Sequence, residues 1–191
     1  VICLGYHGDL VSQYIKLAHP EINVTYVEVD KYDGEGSSLL YSISCAKKHL
    51  QHPFIFHACD TILDKDLKIS LDNNWIIGFK KTDSSQYRSV NVVNGKVIKF
   101  FDKGEINSDY DYVGVCGIKN YELFWQISDK ILEKQNNLFG NSDCDILSEM
   151  FNICRFDFVE SKKWIDIGNI ESLKIARKEI EDPFQIGRAH V

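Results

Sequence analysis

Short apolar runs alternate with amphipathic stretches over the first sixty residues. Three apolar or β-rich runs predict strands, at residues 1–4, 23–29 and 53–57. Apolar residues recur at helical spacing after Asp9, which predicts a helix that Asp9 caps and Pro20 ends. A second helix is predicted to begin after Ser37 or Ser38. This order of strand, helix, strand, loop, helix and strand is typical of an α/β domain.

The pattern changes in the second half of the chain, where strands follow one another without helices between them. Asn94-Gly95 joins two β-rich runs and predicts a hairpin with a type I′ turn. The predicted strands are 75–80, 89–93, 96–101, 111–118, 155–159 and 164–167, and the predicted helices are 121–133, 145–151 and 171–180, the last capped by Asn169. The whole pattern predicts one three-layer α/β/α domain over residues 1–182, with a mixed, mainly parallel sheet. Residues 183–191 are predicted to be a disordered or non-native tail.

Composition excludes several classes of protein. The chain has 191 residues, 44% of them hydrophobic, and a net charge of −6. A general nucleic-acid binder needs a basic face, so this charge argues against one. No apolar run reaches the roughly 18 residues of a membrane span. The six cysteines are scattered in apolar segments without a Cys-x-x-Cys pair, which predicts buried thiols in a reducing compartment, the cytoplasm.

Two aspartates follow predicted buried strands and are the main candidates for chemistry. Asp60 comes after the strand at 53–57, and Asp166 lies in Trp164-Ile-Asp-Ile-Gly168. Parallel strands end at a common edge of a sheet, so both carboxylates could meet there. Paired hard oxygen ligands suit Mg²⁺, which takes its other ligands from water and phosphates. The competing interpretation is that each aspartate only caps a turn or helix.

The motifs along the chain resemble those of the sugar-phosphate nucleotidyltransferase family. They occur in the family's order, as Gly5-Tyr-His-Gly8, Gly34-Glu-Gly-Ser-Ser38, Cys59-Asp60-Thr61, Asp102-Lys103-Gly104, Tyr112-Val-Gly114, and Trp164-Ile-Asp-Ile-Gly168 before Glu171-Ser-Leu173. The resemblance implies a Rossmann-like, GT-A-like fold. It also implies Mg²⁺-dependent transfer of a nucleoside monophosphate from a nucleoside triphosphate to a sugar 1-phosphate, for capsule or lipopolysaccharide synthesis. A homo-oligomer is compatible with it, and no nucleic-acid or membrane partner is expected.

The resemblance also implies roles for individual residues. Asp60 and Asp166 would hold Mg²⁺, and Lys103 would place a positive charge on the sugar's phosphate. The substrate-binding residues would be Gly34, Gly36, Ser37, Asp102, Gly114 and Trp164. Most of these residues also have a structural interpretation: a polar turn for Asp102 and Lys103 and a flexible loop for Gly34–Ser38. For Gly114 and Trp164 a bulge and a core indole are the simpler interpretations.

The start of the chain departs from the family pattern. Family members open with a strand and a glycine-rich loop that carries Arg and Lys and wraps the triphosphate, and nothing here matches that segment. The sequence begins with Val1 inside an apolar run. We therefore expect an N-terminally truncated nucleotidyltransferase domain.

Two other functions remain open from the sequence. One is a GT-A-like glycosyltransferase that consumes nucleotide sugars and uses Asp60, or Asp143 and Asp145, on its metal. Asp143-Cys-Asp145 also precedes an apolar helix, where N-capping is the simpler interpretation. The other function is a non-catalytic binding or regulatory domain with the nucleotidyltransferase fold.

Overall fold

The computed structural model describes residues 1–64, 66–80, 86–105, 107–134 and 140–179. These residues form two compact units. Unit 1 consists of Val1–Phe54 and Ile118–Cys154, and unit 2 runs over Ile55–Gly117 and from Arg155 onward. The tail predicted at 183–191 lies outside the described residues, and the single domain predicted over 1–182 stays a prediction.

Unit 1 combines a short parallel strand pair with helices. Its elements are β1 (Ile2–Leu4), α1 (Gly8–Ala18), β2 (Tyr26–Glu28), α2 (Leu39–Cys45), a 3₁₀ turn (Lys47–His49), α3 (Tyr121–Lys134) and α4 (Asp143–Phe151). The strands β1 and β2 pair in parallel, with Ile2 opposite Tyr26. The core of unit 1 is formed mainly by buried side chains of the last three helices, including Leu40, Ile43, Phe124, Ile127, Leu147 and Met150.

The predicted capping chemistry is confirmed at α2, confirmed in part at α4 and wrong at α1. Ser38 caps α2, and its hydroxyl accepts a hydrogen bond from the backbone N–H of Tyr41 at 3.0 Å. Capping of α4 was assigned to Asp143-Cys-Asp145, but Ser142 is the cap and Asp145 completes its capping box. The prediction for α1 is wrong, because the cap position is His7 in the left-handed region (φ 56°) and Asp9 lies in the first turn. A carboxylate in the first turn still suits the helix dipole.

Unit 2 is built on a mixed sheet. Its elements are β3 (Phe54–His57), β4 (Thr61–Leu63), β5 (Asn74–Lys80), β6 (Ser89–Val93), β7 (Lys96–Phe101), β8 (Tyr110–Ile118), β9 (Phe156–Glu160), β10 (Trp164–Asp166) and α5 (Ile170–Glu179). Six strands form one sheet in the order β3-β8-β5-β9-β7-β6, with β6 also pairing with β8. The strands β4 and β10 form a separate antiparallel ribbon.

The mixed α/β character is confirmed, but the sheet is less parallel than predicted. In unit 2, β5 and β9 pair in parallel. The pairs β5–β8, β6–β7, β6–β8 and β7–β9 are antiparallel. Strands that succeed one another without a crossover helix pair readily in antiparallel fashion, and β5 to β8 do so. The predicted type I′ turn is consistent with the positive φ angles of Asn94 (50°) and Gly95 (70°).

The core of unit 2 lies around the middle of β5 and β8. Trp75, Ile77, Val113 and Val115 are buried together, and the partly buried Trp164 packs against them. Ile55 in β3 is 42% exposed although Phe54 is buried, so the prediction of a fully buried strand before Asp60 is wrong.

Burial of all six cysteines is also not observed. The thiols are free, and Cys3 and Cys59 are exposed. Among the residues that the structure describes, no helix has both the length and the apolar character needed to cross a membrane.

Candidate active site

The ribbon of β4 and β10 brings Asp60 and Asp166 to one end of unit 2. In its antiparallel register Asp166 lies opposite Thr61. One step further, the N–H of Ile167 donates to the backbone carbonyl of Asp60 at 2.8 Å. The sequence predicted that the two aspartates meet at the edge of a parallel sheet. They meet instead through this antiparallel ribbon, whose strand β4 was not predicted because three residues carry little periodicity.

Gly168 lies between the two carboxylates. A Cβ atom built on Gly168 would be 3.0 Å from Oδ2 of Asp60 and 3.1 Å from Oδ1 of Asp166. These two oxygens therefore lie within about 6 Å of each other, the sum of those distances. Direct or water-mediated coordination of one cation can span such a separation. We call Asp60 and Asp166 the carboxylate pair.

Both oxygens of Asp166 accept hydrogen bonds. The backbone N–H of Gly168 donates to Oδ1 at 2.7 Å, and the hydroxyl of Tyr87 donates to Oδ2 at 2.7 Å. The first bond is an Asx turn, in which an aspartate binds the backbone two residues further on. A carboxylate has about four acceptor positions. Two therefore remain for another ligand.

The turn that carries Asp60 rests on the bulge in β8. The N–H of Ala58 donates to the carbonyl of Gly114 at 2.9 Å, and the hydroxyl of Thr61 donates to the carbonyl of Val113 at 2.9 Å. Gly114 has φ +76°, and a Cβ atom there would be 2.9 Å from the Cβ of Ala58. Ala58 thus lies against Gly114, and the contact of Gly114 with a substrate stays a prediction. Gly114 is required for the close approach of the turn, as its bulge interpretation implied.

The phenol of Tyr87 is held as a hydrogen-bond donor. Burial, the hydrogen bond to Asp166 and the negative charges of Asp166, Asp111 and Asp60 together raise the pKa of Tyr87 to about 12. The hydroxyl therefore keeps its proton at neutral pH and continues to donate to Asp166.

Trp164 packs against Tyr87, the residue whose hydroxyl donates to Asp166. Its ring lies 4.5 Å from that of Tyr87 and 5.9 Å from that of Phe79, measured between centroids. Residues two apart on a strand point to the same side, so Trp164 and Asp166 share one face of β10. The half-buried ring also belongs to the core cluster, so the core interpretation of Trp164 holds and its substrate contact stays a prediction.

Asp102 and Lys103 follow β7 in an exposed turn. Oδ1 of Asp102 forms an ion pair with Nε of Arg88 at 3.3 Å, and the Asp102 side chain is 92% exposed. Lys103 is exposed. Among the described residues, no contact connects Asp102 or Lys103 to the carboxylate pair. The roles of Asp102 and Lys103 toward a sugar phosphate therefore stay predictions.

The loop with Gly34, Gly36 and Ser37 belongs to unit 1. Gly34 and Gly36 have φ angles of +76° and +82°, which favour glycine. Ser37 closes the loop, because its backbone N–H and its hydroxyl both donate to the carbonyl of Gly34, at 3.2 and 2.7 Å. The loop is therefore a defined turn, and its contact with a nucleotide stays a prediction.

The donors of the carboxylate pair fit Mg²⁺. Both are hard oxygen ligands, and over the described ranges no group of three or more His, Cys, Asp or Glu side chains could hold a metal ion. A site with two carboxylates suits an ion that keeps several waters and binds substrate phosphates. Structural zinc sites need four protein ligands, which this pair does not supply.

Sequence reasoning missed two residues of the site. The Asp-x-Gly spacing of Asp166 and Gly168 is typical of an Asx turn and could have revealed the bond from Gly168. Tyr87 follows no motif, and its contact with Asp166 spans 79 positions of sequence. Only the fold reveals that contact.

The chain shares its fold with known nucleotidyltransferases. A protein described as a glucose-1-phosphate thymidylyltransferase from Bacillus anthracis, in complex with sucrose, aligns with a TM-score of 0.70 and 19% identity, over 92% of this chain and 72% of that one. The inositol-1-phosphate CTP transferase from T. maritima gives a TM-score of 0.70 and 12% identity, over 90% and 71% of the two chains.

A third similar structure is the CTP:phosphocholine cytidylyltransferase from Streptococcus pneumoniae, with a TM-score of 0.71, 15% identity and coverage of 90% and 75%. No protein-family model and no curated protein sequence matches this chain. At these identities the comparisons establish the fold.

Proposed function

We propose that this protein is a Mg²⁺-dependent nucleotidyltransferase. It transfers a nucleoside monophosphate from a nucleoside triphosphate to a sugar 1-phosphate, giving a nucleotide sugar and pyrophosphate. The observation that carries the proposal is the carboxylate pair, two hard oxygen donors that meet across Gly168 in a domain with the nucleotidyltransferase fold. Such products feed polysaccharide synthesis, and capsule or lipopolysaccharide is the destination we propose.

The reaction needs little covalent chemistry from the protein. A phosphate oxygen of the acceptor attacks the α-phosphorus of the triphosphate in line, the bond to the β-phosphate oxygen breaks, and pyrophosphate leaves. Catalysis is then mainly positioning and charge neutralisation. When bound, Mg²⁺ supplies a positive charge that polarises the phosphoryl oxygens. Asp60 and Asp166 would hold that ion.

Other residues would orient the substrates. Lys103 is exposed and could place its ammonium group on the acceptor's phosphate, as a point charge. Asp102 would accept hydrogen bonds from acceptor hydroxyls, which requires it to exchange its exposed ion pair with Arg88. An exposed pair contributes less than about 1 kcal/mol, so this exchange costs little.

The fold alone does not select the acceptor, because proteins that share this fold differ in their acceptors. Their names mention glucose 1-phosphate, inositol 1-phosphate and phosphocholine. All three acceptors present a phosphate monoester to the nucleotide. We favour a sugar 1-phosphate because the motif order resembles the sugar-phosphate enzymes.

The test is a pyrophosphate-release assay with each nucleoside triphosphate and each of these three acceptors, in the presence of Mg²⁺. We expect release that requires both Mg²⁺ and an acceptor, and a product with the mass of a nucleotide sugar. Asp60→Asn and Asp166→Asn should each reduce turnover at least about a hundredfold, the scale for removal of preorganised charge stabilisation. Asp157→Asn, which removes a unit 2 carboxylate paired with Lys96, is the matched control and should retain activity.

Other outcomes separate the alternatives. Cleavage of added nucleotide sugars without pyrophosphate release would identify a glycosyltransferase. That function is not favoured by Asp145, because its Oδ2 accepts the backbone N–H of Ser142 at 2.7 Å in the cap of α4. A folded protein that neither releases pyrophosphate nor binds nucleotide with Mg²⁺ would be a non-catalytic domain.

A further inference from the structure

We propose that Tyr87 is a positioning residue that holds Asp166 in the orientation in which it binds the cation. The inference rests on the proposed function and extends it to a residue outside every motif of the sequence. Its basis is the hydrogen bond of 2.7 Å from the Tyr87 hydroxyl to Oδ2 of Asp166.

Two donors fix the plane of the Asp166 carboxylate. A free aspartate side chain rotates broadly about its terminal bond, so its oxygens have no single direction. Here Gly168 holds Oδ1 from the backbone and Tyr87 holds Oδ2 from the side chain, each at 2.7 Å. Rotation of the carboxylate would lengthen both bonds. The remaining acceptor positions of Asp166 therefore keep one direction.

Tyr87 can act as a fixed support because it is itself anchored. Its ring contacts the edge of Trp164 at 4.5 Å between centroids, with the planes at 68°. The next residue, Arg88, is held by its carbonyl, which accepts the N–H of Tyr112 at 2.8 Å. Ser89 then begins β6 opposite Asp111. The phenol thus joins the main sheet of unit 2 to the ribbon that carries Asp166.

The acceptor of this hydrogen bond also distinguishes it from an ordinary hydrogen bond in a protein core. Tyr87 could satisfy its hydroxyl with any carbonyl or with water, yet it donates to the carboxylate that faces Asp60 across Gly168. Hydrogen-bond partners of metal-binding side chains orient those side chains, and their loss typically weakens metal binding ten- to a hundredfold. We expect Tyr87 to have this effect.

The test compares Mn²⁺ binding to the wild-type protein and to Tyr87→Phe, by electron paramagnetic resonance of the free ion. The phenylalanine keeps the ring against Trp164 and removes only the hydroxyl. We expect binding weakened about ten- to a hundredfold. In the pyrophosphate assay the Mg²⁺ concentration for half-maximal rate should rise, with kcat at saturating Mg²⁺ largely kept. Tyr26→Phe in β2 is the matched control and should bind Mn²⁺ like the wild type.

The outcomes distinguish this inference from the proposed function. Unchanged Mn²⁺ binding in Tyr87→Phe, with binding lost in Asp166→Asn, would overturn the role of Tyr87 and leave the proposed function standing. A wild-type protein that binds no Mn²⁺, with or without nucleoside triphosphate, would overturn both. A drop in kcat at every Mg²⁺ concentration with unchanged Mn²⁺ affinity would also contradict a positioning role.

A second measurement covers the case in which Tyr87→Phe does not fold. In the wild-type protein, Mn²⁺ bound at the carboxylate pair should broaden the ring-proton NMR signals of Tyr87 at substoichiometric concentration, before it affects those of Tyr26. Tyr87 signals that stay sharp while Mn²⁺ binds would overturn the inference.

Discussion

The absence of a side chain at Gly168 allows both carboxylates of the pair to approach one ion. Its missing side chain leaves a space bounded by one oxygen of Asp60 and one of Asp166, at 3.0 and 3.1 Å from where a Cβ atom would be. Contacts of this length are tighter than most real Cβ contacts. Glycine is required at this position because a side chain would crowd the two carboxylate oxygens. The backbone N–H of Gly168 also fixes Asp166.

We predict that Gly168→Ala weakens Mn²⁺ binding, because the added methyl group pushes at least one carboxylate away from the other. Calorimetric titration of the purified variant measures the effect. Gly8→Ala is the matched control, since its Cβ would also meet its nearest atom at 3.0 Å, but that atom is the Cβ of Leu4 in unit 1. Equal Mn²⁺ affinities for the two variants would contradict the proposed role of Gly168.

The phenol of Tyr87 should ionise at an unusually high pH. Its pKa is raised from 10.0 to about 12, so between these pH values it stays protonated in the folded chain while an unfolded chain loses the proton. Its contribution to stability is complete below pH 10 and is lost as the pH rises toward 12. The difference between ultraviolet absorbance titrations of the wild type and Tyr87→Phe should show one phenol ionising near pH 12. A difference transition near pH 10 would contradict this prediction.

At the level of elements, Asp64 fixes the register of the ribbon formed by β4 and β10. Directly after β4, its Oδ2 accepts the backbone N–H groups of Lys162 at 2.5 Å and Lys163 at 3.0 Å, and the nearby hydroxyl of Ser161 donates to the carbonyl of Lys163 at 2.6 Å. Two backbone donors therefore converge on one oxygen at the end of the ribbon opposite to the carboxylate pair. A slip of one residue would turn every side chain of β10, including Asp166, to the other face.

We predict that Asp64→Ala lowers the free energy of unfolding by about 1.5–3 kcal/mol, the range for hydrogen bonds to a charged group. It should also reduce Mn²⁺ binding, because the ribbon loses its register. Urea denaturation and Mn²⁺ titration measure the two effects. The exposed Asp66, two residues further on, offers the control Asp66→Ala. If Asp64→Ala kept wild-type stability, the register of the ribbon would have to depend on other contacts.

The elements with strong local signals were predictable from sequence, and those without were not. The hairpin at Asn94-Gly95 and the caps at Ser38 and Asn169 have residue types that local chemistry demands. The three-residue strand β4 has no such signal, and its pairing with β10 depends on contacts about a hundred positions apart. The position of both aspartates at strand ends was therefore predicted correctly. The pairing that brings them together was not, because it is an antiparallel ribbon and not the edge of a parallel sheet.

The candidate site shows the same division. Asp60, Asp166 and Trp164 were identified from motifs, whereas Tyr87 is joined to Asp166 only by the fold. Gly114 was identified as a special position, but the sequence could not show that Ala58 lies beside it.

For the whole molecule, the net charge of −6 and the acidic site together favour a cation. Two carboxylates close to each other repel, and an ion bound between them removes that repulsion. A ligand that binds only the folded chain stabilises it by about 2.7 kcal/mol at a hundred times its dissociation constant. We therefore predict that Mg²⁺ raises the melting temperature more than NaCl of equal ionic strength does. Equal melting temperatures in the two salts would count against a cation site.

The proposed chemistry depends on one divalent cation that Asp60 and Asp166 hold jointly. Electron paramagnetic resonance titration of Mn²⁺ into the wild type, Asp60→Asn and Asp166→Asn measures this shared site. We expect one ion per chain in the wild type and a loss of that site in both variants, with the Asp157→Asn control unaffected. Wild-type Mn²⁺ affinity in either Asp60→Asn or Asp166→Asn would contradict it.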